Sequence, residues 1–137
     1  MPKFNDKSAK NLSTCSVRLR VLFERVIQGA DCTVLQGHRG KKDQDDFFAR
    51  GVSKVEWPNS KHNSTPSKAI DVAPWPIPKN WGADNVKELV KFYEFAGIVK
   101  YEARRMGIKI RWGGDWDGDG DYTDQKFDDL VHFEEII

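Results

Sequence analysis

The 137-residue chain has few of the features that mark membrane, secreted or disulfide-rich proteins. No apolar run approaches the roughly 18 residues of a membrane-spanning helix, so we expect no stable insertion into a membrane. The opening residues, MPKFNDKSAKNLS, are polar and show no apolar segment after their charges, which predicts that a secretory signal is absent. The two cysteines, Cys15 and Cys32, are expected to be free thiols of a protein made in a reducing cytosol.

The sequence also lacks an even distribution of charge. Residues 1–114 carry a net charge of +9 and residues 115–137 a net charge of −8, although the whole chain has only +1. A basic body suits anionic partners such as nucleic acid, a membrane surface or a cell-wall polymer, and it equally suits an ordinary solvated surface. Because no basic–aromatic motif of an RNA- or DNA-binding fold is present, we expect no nucleic-acid partner.

Hydrophobic spacing predicts several short strands and helices, separated by glycine-rich and proline-rich turns. The long helix is expected to begin with a capping box of Asn85 and Glu88 and to end at Gly107. Its predicted buried face consists of Val86, Leu89, Val90, Tyr93, Ala96 and Gly97. The strands are expected at residues 32–37, 69–73, 108–114 and 130–136, and the helices at residues 14–28, 44–51 and 86–106. This order predicts an α+β fold in which helices pack on a small, mostly antiparallel sheet.

The segment DWDGDGDYTD is typical of a calcium-binding loop. Its carboxylates stand at alternate positions: Asp115, Asp117, Asp119 and Asp121. An EF-hand needs oxygen ligands at positions 1, 3 and 5, glycine at position 6 and a bidentate Glu at position 12. Position 12 is Lys126, which cannot bind a cation, and the preceding segment is strand-like, so an EF-hand is excluded. Four neighbouring carboxylates would repel one another, which favours some bound cation. A calcium site in an irregular loop and a plain polar turn both remain open.

Two of the three histidines and one aspartate are candidates for a second metal site. Asp71 interrupts the apolar strand AIDVA and His132 interrupts the apolar run LVHF, while His62 precedes Asp71 by nine positions. A buried carboxylate without a partner is costly. Two imidazoles and one carboxylate form a common catalytic zinc set that leaves a fourth position open for water. Ordinary core histidines, and an aspartate paired with an arginine, remain alternatives.

A zinc hydrolase also needs a base that accepts a proton from the attacking water. Asp129 lies three residues before His132 and is the first candidate, and Asp128 is a weaker one. A positioned general base contributes a factor of about 10²–10⁴ in rate.

The motifs SKH, AIDVAP and DLVHFE, in this order, resemble the D-alanyl-D-alanine carboxypeptidase (VanY-like) branch of the LAS zinc metallopeptidases. Within this branch the chain is most similar to the phage L-alanyl-D-glutamate peptidases that serve as endolysins. The segments VLQGHRG and IKIRWGGDWDGDGD agree in order, so the resemblance extends from about residue 8 to the C-terminus. It implies the LAS fold and one catalytic domain over residues 1–137, with no separate wall-binding domain. We expect a monomer.

The resemblance also implies roles for individual residues. The zinc ligands would be His62, Asp71 and His132. Asp129 would be the catalytic base, and Arg39 would stabilise negative charge on the substrate. Ser60 and Trp116 would line the substrate site. His38 is expected at the wall or the surface, and not as a ligand.

The implied reaction is hydrolysis of the L-Ala–D-Glu bond of bacterial peptidoglycan. Endolysins of this kind are made in the host cytoplasm and reach the periplasmic cell wall after release through a holin. In some phage relatives the loop that corresponds to Asp115–Asp124 binds calcium, which implies a regulatory cation here. Two alternatives remain open: a D-Ala–D-Ala carboxypeptidase with the same zinc site, and a calcium-dependent wall-binding module with an inactive metal site.

Overall fold

A computed structural model of the chain describes residues 2–79, 84–121 and 129–136. The helices are α1 (Asp6–Ser13), α2 (Val17–Gly29), α3 (Lys41–Ala49) and α4 (Val86–Met106). The strands are β1 (Cys32–Gln36), β2 (Ala69–Pro74), β3 (Ile110–Gly113) and β4 (Asp129–Glu135), and a 3₁₀ turn covers Lys61–Asn63. All three strand pairings are antiparallel and the order across the sheet is β1-β2-β4-β3. The predicted α+β fold is confirmed.

The core lies where α2 and α4 pack against the sheet. Phe133 of β4 meets one phenylalanine from each helix in an edge-to-face contact, with ring centroids 5.5 Å from Phe23 and 6.1 Å from Phe95. Each such aromatic pair stabilises the fold by about 0.5–1.5 kcal/mol in addition to the contribution from its buried apolar area. Cys15 and Cys32 are buried free thiols, as predicted. No described helix is both long enough and apolar enough to span a bilayer.

Helix α1 was missed by the sequence analysis because its pattern is weak. Of its eight residues only Ser8 and Leu12 are buried. Polar contacts fix it instead: Asn5 caps its first turn by accepting from the backbone N–H of Ser8 at 2.8 Å, and Asn11 donates to the carbonyl of Val34 in β1 at 3.0 Å.

The predicted buried face and N-terminal cap of α4 were wrong in part. Val86 and Val90 are 60% and 50% exposed, and the side chain of Asn85 makes no capping hydrogen bond. Gly97 is exposed as well. The buried positions repeat with helical spacing on a different side of the helix and share only Ala96 with the predicted set: Phe92, Phe95, Ala96, Val99 and Ala103. Gly107 ends the helix as predicted, with a φ of 69° that suits glycine.

The two central strands bring candidate site residues together. In the β2–β4 register Asp71 is the direct partner of His132. At the neighbouring pairing Gly113 of β3 lies opposite Asp129, after an irregularity in the register. A Cβ atom on Gly113 would stand 2.1 Å from the carbonyl oxygen of Asp129, so only glycine allows this close approach.

Candidate metal centre and substrate groove

Three side chains from two strands and the 3₁₀ turn converge on one point. Nε2 of His62 lies 3.2 Å from Oδ1 of Asp71 and 3.3 Å from Nδ1 of His132. Nδ1 of His132 lies 3.4 Å from the same Oδ1 of Asp71. The structure therefore brings together the three residues that the sequence analysis selected as metal ligands.

The hydrogen bonds of the outer ring nitrogens define which atoms face this point. Nδ1 of His62 lies 2.7 Å from the carbonyl oxygen of Gly37, so in the neutral ring it must carry the proton that is donated. Nε2 of His132 lies 2.9 Å from Oε1 of Glu134 and donates to it in the same way. Each neutral imidazole thus turns a lone pair toward the carboxylate of Asp71.

This geometry fits a zinc ion. Zinc binds histidine nitrogen and carboxylate oxygen at about 2.0–2.2 Å in a tetrahedron, which places neighbouring ligand atoms about 3.3–3.5 Å apart. The three separations measured here are 3.2, 3.3 and 3.4 Å. Two lone pairs and a carboxylate oxygen at such distances repel one another unless a proton or a cation lies between them.

The 3₁₀ turn and its neighbours position His62. Ser60 begins this turn and its hydroxyl accepts from the backbone N–H of His62 at 3.2 Å. The carbonyl of His62 accepts from the backbone N–H of Arg39 at 2.7 Å, so the segment after β1 lies directly beside it. Ser60 thus helps to position His62, and it also lines the cavity beside the three-residue cluster. Its contact with a substrate stays a prediction.

In the metal centre, the effect of burial on each pKa is outweighed by the charges and hydrogen bonds of neighbouring groups. Burial alone would raise the pKa of Asp71, but charge and hydrogen bonding from both imidazoles lower it well below its usual range. Burial alone would lower the pKa of His132, but hydrogen bonds to Asp71 and Glu134, with the charges of Asp71 and Asp129, raise it to about 9. The site therefore strongly attracts positive charge.

Asp129 lies at the rim of the centre, where a base could reach a water molecule. Its Oδ2 is 4.0 Å from Nδ1 of His132, too far for a hydrogen bond and outside the three-residue cluster. Burial and the nearby charge of Asp71 raise its pKa. Asp128, the weaker candidate for the base, lies outside the described residues.

Arg39 is only 6% exposed and its guanidinium is held on several sides. Nη2 lies 3.7 Å from Oδ2 of Asp71, and both Nε and Nη2 donate to Oε1 of Gln36, at 2.9 and 2.6 Å. Cζ lies 4.4 Å from the ring centroid of Phe47, a cation–π distance. A guanidinium stays charged in such a setting. His38, next to it in sequence, is exposed, as predicted.

A cavity of about 760 Å³ lies beside the metal centre. Trp116 forms part of its wall, with its ring centroid 5.1 Å from that of His132. The lining also includes the segment 51–55, where Val52 and Val55 are 51% and 41% exposed. This groove could hold a peptide whose scissile bond lies over the metal centre.

Sequence reasoning missed several residues that support this site. They are Gln36, Gln44, Phe47, Lys61, Asn63 and Glu134. For Glu134 a signal existed, because it follows His132 by two positions and residues i and i+2 share one face of a strand. For buried Gln44 there was none, because its surroundings in KKDQDDFFA are those of an exposed polar helix.

The acidic loop contains a second group of carboxylates. Oxygens of Asp115, Asp117 and Asp119 lie within 4.8 Å of one another, whereas Asp121, the fourth predicted ligand, is outside this group. Asp115 is 3% exposed, and its Oδ1 has no hydrogen-bond partner among the described residues. Its Oδ2 accepts from the backbone N–H of Gly120 at 2.9 Å. Asp124 and Lys126 lie outside the described residues.

Known proteins resemble this chain in sequence and in fold. Residues 1–136 match a family described as phage L-alanyl-D-glutamate peptidase. The chain is 31% identical over 126 residues to the L-alanyl-D-glutamate peptidase of Escherichia phage T5, covering 90% of this chain and 88% of that protein. The crystal structure of the Serratia marcescens L-Ala D-Glu endopeptidase ChiX is similar in fold, with a TM-score of 0.71 and 22% identity, covering 98% of this chain and 90% of the other.

Proposed function

The chain belongs to the phage L-alanyl-D-glutamate peptidase family, and on that premise we propose that it is a zinc-dependent endopeptidase. Its substrate is the L-Ala–D-Glu bond in the stem peptides of bacterial peptidoglycan. One observation carries the zinc dependence. Two imidazole lone pairs and a carboxylate oxygen, from His62, His132 and Asp71, converge at 3.2–3.4 Å, the spacing of ligands around one zinc ion.

When bound, zinc supplies a Lewis acid that polarises a carbonyl oxygen and lowers the pKa of water to about 7. Asp129 accepts the proton of the attacking water and returns it to the leaving nitrogen. Two features suit it to this task. It lies 4.0 Å from a ligand nitrogen without being a ligand, and its raised pKa makes it a better proton acceptor than an ordinary carboxylate.

Arg39 stabilises the negative charge that develops on the carbonyl oxygen of the scissile bond. Its guanidinium borders the groove beside Asp71 and is already oriented by Gln36 and Phe47. Because Gln36 and Phe47 fix the guanidinium, little reorganisation is needed during the reaction. Trp116 and Ser60 line the same groove. In this proposal they contact the peptide.

We also propose that the acidic loop binds a regulatory calcium ion. The supporting observation is Oδ1 of Asp115, which is buried and has no hydrogen-bond partner in the described part of the chain. The carboxylates of Asp117 and Asp119 lie within reach of the same ion. Calcium accepts irregular cages of carboxylate and carbonyl oxygens, so no EF-hand is required.

In its biological setting we propose that the protein is an endolysin, acting as a monomer and as a single catalytic domain. It is made in the host cytoplasm and reaches the periplasmic wall through a holin. The similarity to the peptidase of phage T5 supports a role in a phage life cycle. The basic charge of residues 1–114 suits retention on an anionic wall.

Digestion of purified sacculi, followed by mass spectrometry, tests the proposed reaction. We expect new N-terminal D-Glu, loss of this activity on chelation, and recovery on adding zinc. His38→Ala, which removes an exposed histidine, is the matched control for His62→Ala and keeps full activity. Release of free D-Ala alone would instead establish the carboxypeptidase. Intact sacculi after treatment with zinc-loaded protein would favour the wall-binding module.

A further inference from the structure

Gln44 is the most unusual polar residue outside the metal centre. It is fully buried, at 0% exposure, and it is the one buried residue of α3. A buried carboxamide is costly unless its donors and acceptor are all satisfied. Here its oxygen accepts two hydrogen bonds and its nitrogen donates two.

The oxygen of Gln44 points toward the metal centre. Oε1 accepts from Nη1 of Arg39 at 3.0 Å and from Nδ2 of Asn63 at 3.2 Å. Asn63 Nδ2 also donates to the carbonyl of Arg39 at 3.0 Å. These donors fix the orientation of the carboxamide, since a flipped amide would place its NH₂ against the guanidinium.

The nitrogen of Gln44 binds a different part of the groove lining. Nε2 donates to the hydroxyl of Ser53 at 2.9 Å and to the carbonyl of Val55 at 2.7 Å. Both residues belong to the segment 51–55 that lines the substrate cavity. One side chain therefore joins the guanidinium of Arg39 to a segment that lines the cavity beside the metal centre.

We propose that Gln44 is a positioning residue that sets the guanidinium of Arg39 and the groove segment 51–55 relative to each other. This inference rests on the proposed function, because it takes Arg39 as the group that stabilises the transition state. The acceptor arm, Oε1, acts on turnover through Arg39. The donor arm, Nε2, acts on substrate affinity through Ser53 and Val55.

Two substitutions separate the arms. Gln44→Met has a similar length and removes both arms, whereas Gln44→Glu keeps an oxygen for Arg39 and Asn63 and places a second oxygen against the carbonyl of Val55. We expect Gln44→Met to lower kcat by about 10²-fold, the scale of a misplaced catalytic group, and to raise KM. Gln44→Glu should retain most of kcat and raise KM. Lys42→Met, on the exposed side of the same helix, is the matched control and leaves both constants unchanged.

Both kcat and KM are measured per folded, zinc-loaded molecule, so that a loss of stability alone would change neither constant. The inference is overturned if Gln44→Met has normal kcat and KM, or if Gln44→Glu loses as much kcat as Gln44→Met. Hydrogen exchange of the amides in 51–55 provides a readout that needs no activity, and it should be faster in both variants than in Lys42→Met. Unchanged exchange in both would refute the donor arm. If the wild type releases no D-Glu peptides but exchange in 51–55 still responds, the proposed function fails and the coupling stands.

Discussion

Glu134 accepts a hydrogen bond from Nε2 of His132 at 2.9 Å, on the side of the ring that faces away from Asp71. Lys61 holds the carboxylate in turn, with its Nζ 3.0 Å from Oε2 of Glu134. Arg111 adds a longer contact of 3.5 Å. The carboxylate therefore selects the ring orientation in which Nδ1 of His132 faces the other two proposed ligands, His62 and Asp71, as a partner of a metal-binding histidine commonly does.

Loss of this partner should weaken metal binding. We expect Glu134→Ala to lower zinc affinity by about 10- to 100-fold, and Glu134→Gln to lower it less, because the amide oxygen can still accept from His132. Competition with a chromophoric chelator measures both. Glu135→Gln is the matched control, since Glu135 bonds Ser16 and not an imidazole. Equal affinity of Glu134→Ala and wild type would remove Glu134 from the metal centre.

Substitutions at Asp129 and His62 should have different effects on catalysis and on zinc binding. We expect Asp129→Ala to keep zinc and to lose the contribution of a general base, about 10²–10⁴ in kcat. His62→Ala should lose zinc and activity together. Zinc content by atomic absorption and turnover of a muramyl peptide measure the two effects. If Asp129→Ala lost zinc to the same extent as His62→Ala, Asp129 would be a ligand.

The raised pKa of His132 predicts a pH-dependent zinc affinity. In the metal-free protein its pKa is about 9, so the ring is protonated at pH 7, whereas zinc needs the neutral ring. Affinity should rise with pH by up to about tenfold per unit and level off near pH 9. Calorimetry at pH 7 in buffers of different ionisation enthalpy should show proton release. An affinity that is flat between pH 7 and 9 would contradict the shift.

The same shift has a defined effect on the stability of the metal-free fold. A histidine whose pKa is higher in the folded than in the unfolded protein stabilises the fold fully below its ordinary pKa of 6.5. That contribution is lost as the pH rises through about 9. Thermal unfolding of chelator-treated protein between pH 6 and 10 measures this, and His132→Gln, which cannot titrate, should not show the loss.

Two of the three proposed metal ligands could be predicted because a titratable side chain is unusual in an apolar strand. Asp71 and His132 interrupt buried strands, and such groups need a partner. His62 offers no such signal, because it lies on a three-residue turn without periodicity. Its place before Asp71 made it a candidate, and the resemblance of SKH to a known motif implied its role as a ligand. Gln44 lies on a polar helix, and only its contacts show that it is buried.

For the helices too, the sequence pattern predicted only part of the buried face. In α2, apolar residues with helical spacing are buried at Leu19, Leu22, Phe23 and Val26, but Val17, one turn earlier, is 62% exposed. In α4 apolar residues occur on more than one side, so the pattern could not select the side that meets the sheet. Contact with Phe133 decides it, and that contact depends on a strand far away in sequence.

The calcium proposal predicts unequal roles for the carboxylates of the acidic loop. We expect calcium uptake by calorimetry at millimolar concentration, weakened about tenfold or more in Asp115→Asn, because affinity follows the charge and number of ligands. Asp121→Asn should have the smaller effect, since Asp121 lies outside the three-carboxylate group. Absence of calcium uptake by the wild type would end the proposal. Equal losses in both variants would place Asp121 among the ligands.

Gly37 links the packing of α1 to the orientation of His62. A Cβ atom at this position would stand 2.2 Å from Oγ1 of Thr14 and 2.4 Å from the carbonyl oxygen of Asn11. Gly37→Ala must therefore shift either the residues at the end of α1 or the backbone of residue 37, whose carbonyl accepts from Nδ1 of His62. We expect a loss of about 1–3 kcal/mol in the free energy of unfolding, the usual range for overpacking, together with weaker zinc binding.

Gly97→Ala is the matched control for Gly37→Ala. A Cβ atom at Gly97 meets nothing within 4 Å, and the residue lies inside α4, where alanine is favoured by up to about 1 kcal/mol. It should raise the free energy of unfolding and leave zinc affinity unchanged. Chemical denaturation and chelator competition measure the two quantities in both variants. If Gly37→Ala were destabilised but bound zinc as tightly as the wild type, the Gly37 carbonyl would support the fold without orienting His62.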